Sequence, residues 1–192
     1  MVAVSGMSAS ALRKDAQTVL RTWNASGKAS WILWTRLIFL TPGFQLVALI
    51  RLQRWLGRVP VIGTGLRRLV WYVATLLFAC DVDPQAEIGP GLYIPHPTGI
   101  VIGGSVKLGA NVSILQNVTL GRGRPETKES PLIGDDVYIG AGAVVLGDIV
   151  IGAGAKIGAN SVVLKSVPPN AIAVGAPARA FARTAAADKG AI

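Results

Sequence analysis

"IGAGAVVLGDIVIGAGAKIGANSVVL", residues 139–164, sets Ile139, Val145, Ile151, Ile157 and Val163 six positions apart, most of them followed by glycine. Four residues after an aliphatic, a small residue recurs, as at Ala143, Ala155 and Ser161. A helix has no use for this spacing. At about 3.6 residues per turn, a six-residue step carries the next apolar side chain to the opposite face. A hexapeptide period instead predicts a parallel β-helix, in which short strands stack coil upon coil with each aliphatic pointing inward. Working outward, the same pattern runs through Ile133, back across Ile102 to Leu120, and again through Val82, Ile88 and Ile94. It defines a β-helical domain over 81–180.

The register breaks in two places. Leu120 and Ile133 are thirteen residues apart, so "GRGRPETKESPL" must leave the coil as a loop. Ile94 and Ile102 are eight apart, and the surplus contains "PHPTG" with His96, the only histidine of the chain. Loops on a rigid repeat scaffold are where binding and chemistry concentrate.

In order and spacing, "DVDPQAEIGPGLYIPHPTGIVIG", "VSILQNVTLG" and "IGAGAVVLGDIVIGAGAKIGANSVVLKSVPPNAIAVGAPAR" resemble the hexapeptide-repeat acyltransferases of the serine acetyltransferase-like branch. The likeness covers about Asp81 to Arg179. It implies a mainly β fold, a left-handed parallel β-helix behind a short helical segment, assembled as a homotrimer with acetyl-CoA bound between subunits and no metal. Handedness comes from the resemblance alone, since parallel crossovers are ordinarily right-handed.

Acyl transfer to a hydroxyl needs a base for the hydroxyl proton and donors for the developing oxyanion. The resemblance implies His96 as that base, with Asp81 holding the imidazole's other nitrogen and Asp83 as its fallback. It places acetyl-CoA on Gly121, Ala141, Ala159, Lys165 and Arg179. Gln116 and Asn117 are candidates for the acceptor side. Two positions depart from the serine enzymes of this branch, which carry an acid immediately before the catalytic histidine and a second histidine in the long loop. Here those places hold Pro95 and Ser130. Losing a charge-assisted contact to the serine ammonium costs about 1.5–3 kcal/mol. The expected acceptor is therefore a saccharide, such as an exopolysaccharide precursor, with serine O-acetylation of cysteine biosynthesis as the alternative.

The first 80 residues are built differently. They hold ten of the nineteen lysines and arginines, all five tryptophans, and one acid, Asp15. Residues 1–28 read as a flexible N-terminus and 181–192 as a C-terminal tail, flexible from 184, with 29–80 a basic, tryptophan-rich segment with helices near 29–41, 44–58 and 64–79. Arg51, Arg54 and Arg58 share one helical stripe, which suits either peripheral contact with an anionic membrane or burial on the β-helix or on sister helices. Arg36, Pro42 and Gly43 interrupt any clean spanning run. The cation excess comes without a nucleic-acid reader motif, so no nucleic acid partner is expected.

The opening residues hold charges where the apolar core of a signal peptide would lie, and Cys80 has no second cysteine to pair with. A cytoplasmic location follows as the expectation, at most peripheral on the inner face of the membrane. A zinc enzyme on the same scaffold would need three histidines, and one per chain supplies them only if three copies meet on an axis. A non-enzymatic scaffold at a membrane surface is the remaining alternative, favoured if Asp81 and His96 lie far apart.

Overall fold

The computed structural model describes residues 9–24, 30–124, 126 and 129–182. The hexapeptide register forms a three-sided prism, a left-handed parallel β-helix. Its first face stacks β1 (Asp81–Val82), β3 (Val101–Ile102), β6 (Thr119–Gly121), β9 (Val144–Leu146) and β12 (Val162–Val163). The second stacks β2 (Glu87–Ile88), β4 (Lys107–Leu108), β7 (Leu132–Ile133) and β10 (Val150–Ile151). The third carries β5 (Ser113–Ile114), β8 (Tyr138–Ile139), β11 (Lys156–Ile157) and β13 (Ile172–Gly175), with β14 (Ala178–Phe181) folded back antiparallel on β13.

Most strands are two residues long, and the second, the aliphatic of the hexapeptide, is buried in each of these. Ile102, Leu120 and Val145 stack directly above one another on the first face. The prism is thus a continuous aliphatic column that no single coil could bury alone.

Left-handed backbone turns the corners. Along the edge between the third and first faces, Gly99, Asn117, Gly142 and Asn160 all have positive φ. Asparagine tolerates this region, and glycine enters it without strain. At Gly142 a β-carbon would also meet Asn160 Oδ1 of the next coil. Gly142→Val is expected to lower the free energy of unfolding by about 1–3 kcal/mol, read as a shift in urea midpoint. An unchanged midpoint would mean that this corner bears no strain.

Four helices precede the prism: α1 (Ala9–Trp23), α2 (Trp31–Leu40), α3 (Pro42–Leu56) and α4 (Gly63–Phe78). Pro42 occupies the first turn of α3, where its missing N–H costs nothing, and so separates α2 from α3. The flexible N-terminus expected over 1–28 is overturned for Ala9–Trp23, which form α1 because Ala16, Val19 and Leu20 share an apolar face packed with Leu37 and Phe44. Residues 1–8 and 25–29, and the tail from 183 onward, lie outside the described residues.

Of the two readings of the basic stripe on α3, burial on the β-helix holds for Arg51 and Arg54. Arg51 is 3% exposed. Its Nε and Nη2 donate to Asp15 at 2.8 and 3.0 Å, while Nη1 and Nη2 donate to the carbonyls of Ile88 and Gly89 at 2.8 and 2.7 Å. Asp15 Oδ1 in turn accepts the backbone N–H groups of Gly91 and Leu92. Arg54 donates to the Ala86 carbonyl at 2.6 Å, and burial, with Arg51 close by, lowers its pKa below the ordinary arginine value. Arg51 and Arg54 therefore face the first coil of the prism and are not available to lipid, whereas Arg58 is exposed. No single helix among the described residues is long and apolar enough to cross a membrane, although α2 and α3, bent by 74°, pass that test of length and composition together.

Candidate active site

The edge between the third and first faces gathers most of the residues singled out by sequence. Successive coils are tied there by backbone hydrogen bonds: Gly99 N–H to Ala79 O, Asn117 N–H to Thr98 O, Gly142 N–H to Gln116 O, and Asn160 N–H to Ala141 O. Reading along this column, Asp81 opens the first coil two residues past Ala79, and His96 leaves the same coil three residues before Gly99. Gln116 and Asn117 form the next corner, followed by Ala141 and then Ala159. The eight-residue step is thereby explained, because "PHPTG" is an enlarged corner that carries His96 out of the stack.

The helices set this corner. Gly43, in the first turn of α3, lies against the carbonyls of Ile94 and Pro95, where any β-carbon would collide with Ile94 O. Asp15 of α1 holds the amides of Gly91 and Leu92 on the same approach. Tyr93 packs with the small core of α1, α2 and α3. His96 itself is exposed, and its imidazole makes no hydrogen bond among the described residues. Asp81 is exposed as well, with Oδ1 accepting the indole N–H of Trp71 on α4 at 3.0 Å. Asp83 accepts the Gln85 N–H of its own turn at 2.8 Å.

Beside Asp81 lies a cleft of about 340 Å³, walled by Arg67, Arg68 and Trp71 on the helical side and by Asp81, Asp83 and Val101 on the prism. Gln116 Oε1 and Ser130 Oγ are buried without a hydrogen-bond partner among the described residues. Such acceptors are costly unless a neighbour or ligand satisfies them. Asn117, at φ 59°, serves first as a corner residue.

The expected acetyl-CoA residues do not all meet in one chain. Ala141 and Ala159 belong to the edge of His96. Gly121 ends β6 and Lys165 follows β12, so both lie on the opposite edge of the first face, and Arg179 is on β14 of the third face. Sequence reading missed Trp71 and the Asp15–Arg51 pair. Its one available signal was that Asp15 is the sole acid before Asp81. No group of three or more His, Cys, Asp or Glu side chains suited to a metal occurs among the described residues.

Comparison with known proteins gives the site its relatives. Residues 130–165 match the family model for the bacterial transferase hexapeptide (six repeats). A Brucella abortus serine acetyltransferase, solved in complex with coenzyme A, superposes with a TM-score of 0.80 at 36% identity over 92% of this chain and 68% of its own. The chain belongs to the serine acetyltransferase-like family of hexapeptide-repeat acyltransferases. A soybean serine acetyltransferase complexed with serine superposes with a TM-score of 0.78 at 39% identity, over 90% of this chain and 68% of its own. Serine acetyltransferase of Mycobacterium tuberculosis is 41% identical over 151 residues, which are 77% of this chain and 64% of that protein. Other curated serine acetyltransferases are covered to 58% and 52% of their length, so the chain spans between about half and two thirds of these family members.

The saccharide acceptor expected from Pro95 and Ser130 is overturned by these findings. The Mycobacterium tuberculosis and Escherichia coli relatives and the Brucella abortus and soybean structures are serine acetyltransferases, the soybean one holding serine. The physical reason is one of scale. Two side-chain changes remove contacts worth a factor in affinity, whereas the likeness extends across helices and prism alike.

Proposed function

We propose that the protein is a serine O-acetyltransferase that uses acetyl-CoA, with His96 as general base. The observation that carries this reading is the enlarged corner, which carries the only imidazole of the chain out of the coil that Asp81 opens, within a family of serine acetyltransferases. His96 takes the proton of the serine hydroxyl as its oxygen adds to the thioester carbonyl. As the carbon–sulfur bond breaks, the imidazolium returns that proton to the departing thiolate. Asp81 orients the ring and stabilises its charged form. Asp81 and His96 make no hydrogen bond in the free chain, and such contacts often tighten only when substrate is bound.

Acetyl-CoA is assigned to Ala141 and Ala159, where small side chains let an extended arm approach the backbone, with Gly121, Lys165 and Arg179 completing its site from a neighbouring copy. Their separation within one chain supports a homotrimer with sites shared between subunits. The exposed apolar side chains of α4, among them Leu69, Leu76 and Leu77, offer further surface for such copies to cover. Light scattering is expected to give three times the monomer mass, and an active monomer would contradict the shared site. Gln116 supplies an acceptor on the serine side. The functional test is genetic: expression in a bacterial strain lacking its own serine acetyltransferase restores growth without cysteine, and failure to restore growth from abundant, folded protein would count against serine as acceptor.

A further inference from the structure

The carboxylate that would orient His96 is itself held from the helical segment. Trp71 donates its indole N–H to Asp81 Oδ1 at 3.0 Å, and Asp81 N–H is tied to Ile100 O at 2.8 Å, so the residue is fixed at both its backbone and one of its oxygens. An aspartate's terminal torsion is otherwise broad and roughly two-fold. Indole is a donor only. It can fix one carboxylate oxygen, yet it offers no acceptor to compete for the imidazole proton. The second oxygen, Oδ2, is left for the ring.

We propose that Trp71 is a positioning residue: its indole N–H locks the Asp81 carboxylate so that Oδ2 meets the N–H of the His96 imidazole. This rests on the reading of Asp81 and His96 as partners. The charged groups facing Asp81 are Arg67 and Arg68 from α4 and Asp83 from the end of β1, while β3 presents Val101, Ile102 and Gly103. Because none of these changes when Trp71 is altered, a shift at His96 reports the indole contact and not a new charge.

His96 being the only histidine, long-range proton–nitrogen spectra of the full chain with coenzyme A bound contain one histidine ring, whose tautomer is read directly. Asp81→Asn is expected to change the tautomer balance of that ring and to lower kcat. Trp71→Phe, which keeps an aromatic body and removes the donor, gives part of that change and lowers kcat about tenfold with the KM for acetyl-CoA unchanged. Trp71→Gln, which restores an N–H donor, recovers both. In an Asp81→Asn background Trp71→Phe has no further effect on either. A His96 tautomer unmoved by Trp71→Phe would overturn the proposal, as would an effect of equal size in the Asp81→Asn background. The spectra decide the role of Trp71, and turnover of L-serine by the unaltered protein separately decides the acceptor.

Discussion

His96→Ala is expected to lower serine acetylation by about 10²–10⁴-fold while acetyl-CoA affinity stays nearly unchanged. A general base acts on the transition state, so its loss falls on kcat and on kcat/KM alike, with little change in donor binding. No other histidine exists to take over, and Asp81 is committed to Trp71 through one oxygen. Turnover and donor binding, measured on the same preparation, check this. A residual rate within a few-fold of the unaltered protein would remove His96 from the mechanism.

The second large effect concerns stability. Arg51→Met is expected to destabilise the fold by about 3–5 kcal/mol, because it strands Asp15, which is fully buried, without its cation. The carbonyls of Ile88 and Gly89 lose their donors at the same time. Replacing both partners, Asp15→Leu with Arg51→Met, is expected to recover only the part due to the stranded charge, since the carbonyls of Ile88 and Gly89 and the amides of Gly91 and Leu92 stay unpaired. Urea denaturation of the two singles and the double closes the cycle. Single variants within about 1 kcal/mol of the parent would show that the pair does not hold the helices to the prism. Asp15 also holds the amides of Gly91 and Leu92 just ahead of the His96 loop, so a loosened pair should slow turnover as well as weaken the fold.

How much was legible in advance follows from which interactions are local. The prism could be read because its determinant is periodic: an aliphatic every six residues and a small or left-handed residue at the corners. The place of His96 could be read for the same reason, as an eight-residue step in a six-residue rule. Pro42 marked the boundary between α2 and α3 through its missing N–H. The destination of Arg51 could not be read, because a helical stripe is defined by i and i+3 neighbours whereas its partners lie 36 to 38 residues away. An arginine that faces lipid and one that faces a buried aspartate have the same local sequence. Trp71 was hidden in the same way, as one of several tryptophans in a segment whose composition suggested a membrane interface. The acceptor was misread from Pro95 and Ser130, two side chains given more weight than a likeness extending over helices and prism.

Buried between α4 and the first strand of the prism, Cys80 should behave as an inert thiol, and burial pushes its pKa up. A thiol reagent at mildly alkaline pH is expected to label it only on unfolding, which gives the stability measurements an independent probe; rapid labelling of the folded chain would show that this junction opens.

The claim that the corner of His96 and Asp81 is built to acetylate serine is tested most directly by incubating the purified chain with acetyl-CoA and L-serine and identifying the product by mass spectrometry alongside release of free coenzyme A. O-acetyl-L-serine formed in step with the thiol, and lost in His96→Ala, is the predicted result. Release of coenzyme A without any acetylserine, or no release at all from a folded protein that binds acetyl-CoA, would contradict it.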